Sequence, residues 1–461
     1  MAGPWWREAV FYQIYPRSFA DSNGDGVGDL EGARRHLDHL EWLGVDAIWV
    51  CPFYPSPMAD FGYDVADYCD VDPLFGTLAD FDNLLDEAHA RGIRLIIDWV
   101  PNHTSDRHPW FLESRSSRDS PKRDWYIWRD SRPGGGKPNN WKAAFGGDAW
   151  TWDERTQQWY LHLFLPEQPD VNWRNPELVE AMYGVLRFWL DRGVDGFRID
   201  VVHGMLKDPD LPDDPPGTVL PRSTTNDHPD VHPVLRDLRK LVDAYPHEPV
   251  TVGEVYLLAT EQVARYLGQG DELHLAFDFT SLYAPWTADA WRATLARVAA
   301  ELDAIGGWPT WTLSNHDNTR HRTRYGSEAR ARAAAVLLLT LRGTPFLYAG
   351  EELGLEDAVI PAERVVDPGG RDGCRAPVPW TPEPDHGWGV DDPWLPWPPE
   401  PEVRNAESQR ADPASILHLY RRLLAARRAS PALGGGDLVV LPSPPDVLAY
   451  ERCGQGRERG E

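Results

Sequence analysis

Short apolar runs alternate with amphipathic stretches along most of the chain. Eight runs predict buried strands of a parallel sheet, because both faces of such a strand are covered. The stretches between them predict helical crossovers, and the clearest helix begins at Pro176 and ends at Gly193. The predicted strands are Val10–Phe19, Asp46–Cys51, Leu95–Val100, Gly196–Asp200, Val250–Glu254, Leu273–Phe279, Thr310–Leu313 and Pro345–Ala349.

Eight strand–helix pairs favour an α/β protein built as a (β/α)8 barrel of the TIM type, with helices around the parallel strands. The other predicted helices are Leu30–Leu43, Leu78–Ala90, Val231–Leu241, Glu261–Leu267, Ala288–Leu302, Glu328–Leu341 and Pro413–Arg428.

Two irregular stretches interrupt this alternation. Residues 103–170 are rich in Trp, Pro, Gly and Asp and contain no long amphipathic helix, so we expect a small inserted domain after the third strand. Residues 355–409, rich in Pro and Trp, predict a long loop before the last helix. The expected division is a barrel of residues 1–102 and 171–434, the inserted domain, and a truncated C-terminal β-domain of residues 435–461.

Composition narrows the range of partners. The formal net charge of −26 repels phosphate backbones and anionic lipid surfaces, which argues against nucleic-acid or membrane partners. The 22 Trp and 16 Tyr residues supply flat rings that, beside carboxylates, suit a neutral polyhydroxylated ligand. Most of these rings are nevertheless expected to pack in the core. The composition is therefore compatible with a small sugar as substrate.

The cysteines, the first residues and the apolar runs indicate the cellular compartment in which the protein is expected. The four cysteines show neither CxxC spacing nor a pairing pattern, so we expect reduced thiols and a cytoplasmic protein. The first residues lack the basic and apolar regions of a secretion signal. The longest apolar run, residues 333–341, is well short of the roughly 20 residues that a membrane helix needs.

Three carboxylates lie at or just after the ends of predicted strands: Asp200, Glu254 and Asp317. In a parallel barrel, the C-terminal ends of all strands open on one face, so these acids are expected to converge there. Retaining glycoside hydrolysis needs two carboxyl groups about 5–5.5 Å apart, one to attack the anomeric carbon and one to protonate the leaving oxygen. The pattern therefore predicts a glycosidase-like site.

Five sequence blocks resemble the alpha-amylase superfamily of glycoside hydrolases, and more narrowly its bacterial alpha-glucosidase and oligo-1,6-glucosidase branch. They occur in the family's order and at barrel spacing across nearly the whole chain. The blocks are Gly44–Trp49, Asp98–Ser105, Gln168–Trp173, Gly193–Asp200 and Ser314–Asp317.

The resemblance implies a role for each acid. Asp200 is the expected nucleophile, Glu254 the general acid and base, and Asp317 the residue that stabilises the transition state. Arg198, two residues before Asp200, leaves the strand on the same face and is expected to keep that aspartate ionised. Glu254 is expected to hold a proton, because the two aspartates crowd it.

The resemblance also implies sugar contacts. His103 and His316 are expected to hydrogen-bond the first glucose, Asp60 to bind the non-reducing end, and Tyr63 to stack beneath the ring. Arg375 is expected to pair with Asp60 and close the pocket, which favours release of one terminal glucose over internal cleavage. Two aromatic residues of the inserted domain are expected to line the pocket, Phe145 and Phe164.

The segment from Asp21 to Asp29 places oxygen ligands at alternate positions, like the start of a calcium loop. It is not an EF-hand, because its twelfth position is Gly32 instead of glutamate. Related alpha-glucosidases hold a structural ion here, usually calcium, and no organic cofactor is expected. The implied ligands are Asp21, Asn23, Asp25, Asp29 and the backbone carbonyl of Val27.

Alternative activities remain open at this stage. A trehalose synthase-like isomerase would use the same covalent intermediate, an endo-acting amylase would cut within polymers, and a silent binding subunit would usually lack one of the three acids. Linkage preference is also open, because Val201 favours alpha-1,6 bonds whereas residues 201–209 resemble alpha-1,4-acting enzymes. The sequence does not indicate the oligomeric state.

Overall fold

The computed structural model describes residues 3–218 and 224–454. Eight parallel strands form a nearly closed ring in the order β10-β11-β1-β2-β3-β7-β8-β9. The predicted (β/α)8 barrel is confirmed. In chain order, the strands of the described residues are β1 (Phe11–Ile14), β2 (Ala47–Val50), β3 (Arg94–Trp99), β4 (Trp128–Arg129), β5 (Trp150–Asp153), β6 (Gln158–Leu161), β7 (Gly196–Ile199), β8 (Val250–Glu254), β9 (Leu275–Phe277), β10 (Thr310–Thr312), β11 (Thr344–Tyr348), β12 (Asp437–Leu441) and β13 (Ala449–Cys453).

Helices cover the outside of the ring and connect its strands. The helices of the described residues are α1 (Trp5–Glu8), α2 (Pro16–Phe19), α3 (Leu30–Arg35), α4 (Leu37–Leu43), α5 (Leu78–Ala90), α6 (Pro109–Ser114), α7 (Pro176–Asp191), α8 (Val231–Asp243), α9 (Thr260–Arg265), α10 (Ala288–Asp303), α11 (His321–Tyr325), α12 (Glu328–Thr340), α13 (Ala406–Ala411), α14 (Ile416–Ala429) and α15 (Pro431–Gly435).

The first predicted strand is too long. Only Phe11–Ile14 pairs in the sheet, and the rest of that apolar run forms α2. Pro16 occupies the first turn of this helix, where its fixed φ and missing N–H cost nothing. The predicted helix Leu30–Leu43 is interrupted at His36, which separates α3 from α4.

Aromatic side chains fill the barrel interior. Phe11 of β1 stacks on Phe346 of β11, with ring centroids 4.5 Å apart, and Phe277 of β9 meets the same ring edge-on at 4.8 Å. The three rings come from β1, β9 and β11 and pack against one another inside the ring. The interior is therefore a packed core, and the functional cavity has to lie at one end of the barrel.

Gly196 allows β7 to approach β8 closely. Its φ is +145°, and a Cβ atom built there would lie 2.0 Å from the carbonyl oxygen of Val250. Only glycine fits this close approach. Because Asp200 follows β7 and Glu254 ends β8, the same approach brings these two acids to neighbouring positions at the rim.

The inserted stretch carries its own small sheet, with antiparallel order β4-β6-β5. Its apolar cluster includes Trp141, Trp150 and Leu161, and it also takes up Leu211 from the segment after β7. At the other end of the chain, β12 and β13 form an antiparallel hairpin. The predicted domain boundaries stay predictions, and residues 455–461 of the predicted C-terminal β-domain lie outside the described residues.

Cysteines 51, 69, 374 and 453 are all free thiols. Among the described residues, no helix is both long enough and apolar enough to cross a membrane.

Glu351, just after β11, predicts a pH dependence of stability. Its side chain is buried, and this burial raises its pKa to about 8, whereas an unfolded glutamate titrates near about 4.3. The free energy of unfolding should therefore decrease as the pH rises from about 4.3 to about 8, by up to about 1.4 kcal/mol per pH unit. Glu351→Gln is expected to weaken that fall, as measured by urea unfolding at pH 5 and pH 8. An unchanged pH dependence would contradict the assignment.

Candidate active site

Arg198 joins the two acids that follow neighbouring strands. Its Nη1 lies 2.7 Å from Oδ1 of Asp200, and its Nη2 lies 2.7 Å from Oε2 of Glu254. The predicted convergence of these acids is therefore present. Within the described chain, the second oxygens, Oδ2 of Asp200 and Oε1 of Glu254, carry no protein hydrogen bond. Each carboxyl group thus has one oxygen held by Arg198 and one available for chemistry.

A small cavity of about 60 Å³ collects most of the predicted site residues. Eight residues expected to act on the sugar line it, together with Val201 and Arg371. These eight are Asp60, Tyr63, His103, Phe145, Phe164, Asp200, Glu254 and Asp317.

The small cavity continues outward into a larger one of about 320 Å³. The two share Phe145, Phe164 and Arg371, among other residues, and the outer cavity extends towards Tyr256 and Tyr283. A larger cavity of about 590 Å³ lies between α10, α12 and the C-terminal hairpin, away from the acids. The joined pair has the arrangement of an inner pocket with an outer vestibule.

Arg198 contacts a third carboxyl group in addition to those of Asp200 and Glu254. Its guanidinium also contacts Asp98 at 2.6 Å, so one cation faces three carboxyl groups. Burial raises the pKa of Asp200 well above its usual range, although Arg198 opposes that rise. Burial likewise raises the pKa of Asp98 to about 6. Burial and the charge of Arg198 therefore act on Asp200 in opposite directions, and the prediction that this cation keeps Asp200 ionised stays a prediction.

The charges around Asp317 favour its ionised form. Although burial raises its pKa, the guanidinium groups of Arg371 and Arg375 together hold that pKa below its usual range. Oδ1 of Asp317 accepts hydrogen bonds from Arg371 at 2.9 Å and from Arg375 at 3.0 Å. Asp317 is therefore a carboxylate throughout the neutral pH range.

The predicted pair between Asp60 and Arg375 is wrong. Arg371 makes this contact, with Nη2 lying 2.5 Å from Oδ1 of Asp60. Arg375 is 0 % exposed and points into the wall, where Nε donates to the carbonyl oxygen of His316 at 2.7 Å and Nη1 contacts Asp367 at 3.2 Å. The two arginines lie four residues apart on one turn, and only the first reaches the cavity.

His316 lies beneath Tyr63. The two rings are stacked with centroids 5.3 Å apart, and Nε2 of His316 lies 2.5 Å from the Tyr63 hydroxyl and 3.3 Å from Oδ2 of Asp317. Burial lowers the pKa of His316 to about 3, so the ring is neutral. His316 does not line the inner cavity, and its predicted sugar contact stays a prediction.

His103 stands on the opposite wall, at the start of the inserted stretch. Its Nε2 lies 3.2 Å from the carbonyl oxygen of Tyr63 and 3.1 Å from Nε2 of Gln168. Gln168 also donates to Oδ2 of Asp60 at 3.0 Å. Burial lowers the pKa of His103, which keeps it neutral. These contacts connect the inserted segment to the pocket end that Asp60 occupies.

Two phenylalanines form an apolar wall. Phe145 and Phe164 lie with ring centroids 5.9 Å apart, and Arg371 lies over the Phe145 ring at 5.0 Å. Phe164 also meets His103 at 5.2 Å. Both rings line both cavities, as predicted for pocket walls.

Sequence reasoning missed three groups that the structure adds to the site: Arg371, Asp98 and Gln168. Asp98 and Gln168 lie inside blocks that carry the family resemblance, and Arg371 lies four residues before Arg375. Asp98 begins the segment that contains His103, and Gln168 begins the block at residues 168–173. For Asp98, a lone carboxylate within the apolar run Leu95–Val100 was the available signal.

The carboxylates of the predicted calcium loop are engaged by N–H groups of the same segment. Asp21 accepts backbone N–H groups from Asn23, Gly24 and Gly26, and Oδ2 of Asp29 accepts from Ser22. Asp21 and Asp29 are both buried, and their set of hard oxygen donors suits calcium. Among the described residues, however, no three His, Cys, Asp or Glu side chains form a group that could hold a metal. The ion therefore stays a prediction.

Chelation tests this loop. If calcium is bound by Asp21 and Asp29, removing it with EDTA should lower the melting temperature by several degrees, because a ligand that binds only the folded state stabilises it. Added calcium should restore the loss, whereas Asp21→Asn should be insensitive to both. If EDTA leaves the melting temperature unchanged and elemental analysis finds no metal, the predicted calcium site is wrong.

A (β/α)8 barrel with carboxyl groups gathered at the C-terminal ends of its strands defines the class of protein, an enzyme acting on glycosides. The family model of the alpha-amylase catalytic domain matches residues 13–436. The chain therefore belongs to the alpha-amylase family.

Similar proteins narrow the branch. A probable alpha-glucosidase of Rhizobium meliloti (strain 1021) is 45 % identical over 99 % of this chain and 88 % of its own. An oligo-1,6-glucosidase of Parageobacillus thermoglucosidasius is 38 % identical over 97 % and 88 %. The predicted alpha-glucosidase and oligo-1,6-glucosidase branch is confirmed.

Solved structures share the fold closely. The alpha-glucosyl transfer enzyme XgtA has a TM-score of 0.94 at 45 % identity, covering 99 % of this chain and 90 % of that one. The trehalulose synthase MutB from Pseudomonas mesoacidophila MX-45 has a TM-score of 0.93 at 38 % identity, with the same coverage. Hydrolases and glucosyl-transferring enzymes therefore both resemble this chain.

Proposed function

We propose that the protein is a retaining, exo-acting alpha-glucosidase that releases terminal glucose from small maltose-type or isomaltose-type oligosaccharides. One observation carries the proposal: Asp200 and Glu254, held by one arginine, open into a pocket whose end the Arg371–Asp60 pair closes. We also propose a cytoplasmic location, from the cysteine pattern.

The first chemical step forms a covalent bond to Asp200. Its free oxygen, Oδ2, attacks the anomeric carbon while Glu254 gives its proton to the glycosidic oxygen, which leaves with the bonding electron pair. Asp317, a permanent carboxylate, faces the positive charge that develops on the sugar ring.

The second step returns the enzyme to its starting state. Glu254, now deprotonated, takes a proton from water, and the resulting hydroxide attacks the anomeric carbon and displaces Asp200. Two displacements restore the original anomeric configuration. Tyr63 forms the floor and Phe145 and Phe164 the wall of the cavity in which this sugar would stack.

Closure at Arg371 supports exo action. Its guanidinium contacts Asp60, Asp317 and Asp367 together, so three chain segments meet at the inner end of the pocket. A sugar chain could not continue past such an end, which disfavours endo cleavage. The presence of all three acids disfavours a silent binding subunit.

Glucosyl transfer is the second candidate. The outer cavity of about 320 Å³ has room for an acceptor sugar, and two similar solved structures are of a glucosyl transfer enzyme and a trehalulose synthase. Transfer and hydrolysis share the covalent intermediate and differ only in which hydroxyl group attacks it.

Product analysis separates these activities. With maltose as substrate, we expect alpha-configured glucose as the main first product. Trehalose or another disaccharide as the main product would favour the isomerase, and longer fragments from soluble starch would overturn exo action. The same assay with isomaltose decides the linkage preference, which the site leaves open.

A further inference from the structure

Val201 has an unusual backbone conformation. It follows Asp200 directly and has φ 44° and ψ 40°, in the left-handed region. A β-branched side chain is rarely found there, because its Cβ substituents crowd the backbone in this region. Such strain persists only where the surrounding structure enforces it, so the conformation requires a reason.

The consequence of this conformation is a hydrogen bond to Glu254. The backbone N–H of Val201 donates to Oε2 of Glu254 at 3.1 Å. Nη2 of Arg198 donates to the same oxygen at 2.7 Å. Oε2 therefore has two donors, whereas Oε1 has no protein donor in the described chain, and Glu254 lines both cavities.

We propose that Val201 is a positioning residue for Glu254, and that its strained backbone directs an N–H at Oε2, so that Oε1 alone carries the proton delivered to the glycosidic oxygen. The inference rests on the proposed function, in which Glu254 is the general acid and base. An oxygen that already accepts two N–H donors has little capacity for a proton, whereas the free oxygen has full capacity.

The turn that follows Val201 holds its backbone in this conformation. After Val201 the chain enters a short turn in which Gly204 N–H bonds to the carbonyl oxygen of Val201 at 2.9 Å. A Cβ at Gly204 would lie 3.0 Å from Cγ1 of Val201, so the turn is packed tightly against that side chain. His203, in the same turn, places Nδ1 3.1 Å from the carbonyl oxygen of Glu254. Both ends of the Glu254 residue are therefore bound by one segment.

Several other charges surround Glu254 and bear on its protonation. Asp98 comes from β3, Arg198 from β7, Asp200 and His203 from the segment after β7, and Asp317 from the segment after β10. None of them is altered when a single backbone N–H is removed. A backbone change at Val201 therefore isolates the proposed contact.

The test replaces the amide between Asp200 and Val201 by an ester, using the α-hydroxy analogue of valine in the full-length protein. The side chain is kept and only the N–H donor is lost. Because that donor stabilises the ionised carboxyl group, its loss should move the basic limb of the kcat/KM pH profile upward by about one pH unit.

A matched ester at Met205 is the control, since it removes an N–H in the same turn that donates to the carbonyl oxygen of Val202 at 3.4 Å and contacts neither Val201 nor Glu254. It should leave the basic limb in place, and so should Val201→Ala, which retains the N–H. If the Val201 ester leaves the limb within 0.2 units of the control, or if both esters shift it equally, the positioning role is wrong. If the unmodified enzyme shows no glycosidase activity, the proposed function fails instead.

Discussion

Asp200→Asn is expected to lower kcat by at least about 10³–10⁴-fold, because it removes the nucleophile while preserving shape. Asparagine can still accept a hydrogen bond from Arg198 through its side-chain oxygen, so the fold and the position of Arg198 should be retained. Steady-state hydrolysis of an aryl alpha-glucoside measures the loss, and circular dichroism verifies folding.

Asp98→Asn is the matched control for this substitution. Asp98 contacts the same guanidinium at 2.6 Å but is fully buried and does not line the inner cavity. Its amide should therefore cost much less activity, about 10-fold to 100-fold, through altered charge around Arg198. Equal losses for the two variants, or more than 1 % residual activity in Asp200→Asn, would show that Asp200 has no covalent role.

Arg371→Ala is expected to lower kcat/KM by about 10²–10³-fold, the second largest effect. Removing this guanidinium leaves Asp60 and Asp317 with reduced charge compensation and opens the inner end of the pocket. Because the end is no longer closed, activity on longer maltooligosaccharides should fall less than activity on maltose. Kinetics on maltose and maltoheptaose measure this ratio.

Arg375→Ala provides the contrast. Arg375 is fully buried and bonds to the backbone of His316 and to Asp317, so its loss should lower the melting temperature and the activity on every substrate, without changing the preference for chain length. Arg371→Lys, which keeps the charge but loses the guanidinium fork, should retain an intermediate activity. If Arg375→Ala alone changed the preference for chain length, the assignment of pocket closure to Arg371 would be wrong.

The barrel and the acids could be predicted because local patterns determine them. Buried parallel strands appear as short apolar runs, and a carboxylate at the end of such a run has to emerge at the C-terminal rim. Seven of the eight predicted strands match observed β-strands to within two residues at both ends. The first failed because Pro16 begins a helix within an apolar run.

The choice between Arg371 and Arg375 could not be made from sequence. Both arginines lie in one irregular loop, and side-chain direction there depends on contacts with distant segments, such as Asp60 and the carbonyl oxygen of His316. The contact between Arg198 and Asp98 could not be predicted for the same reason, because Asp98 lies on a strand one hundred residues earlier. Periodicity carries no information about such contacts.

The most direct test of the account is covalent trapping of the intermediate. A fluorinated glucosyl donor that reacts quickly but turns over slowly should inactivate the enzyme with one label per chain. Peptide mass spectrometry is expected to find that label on Asp200 and to find none in Glu254→Gln treated with a donor that needs acid assistance. A label on any other residue, or turnover without a trapped adduct, would contradict a glycosyl-aspartate mechanism at this site.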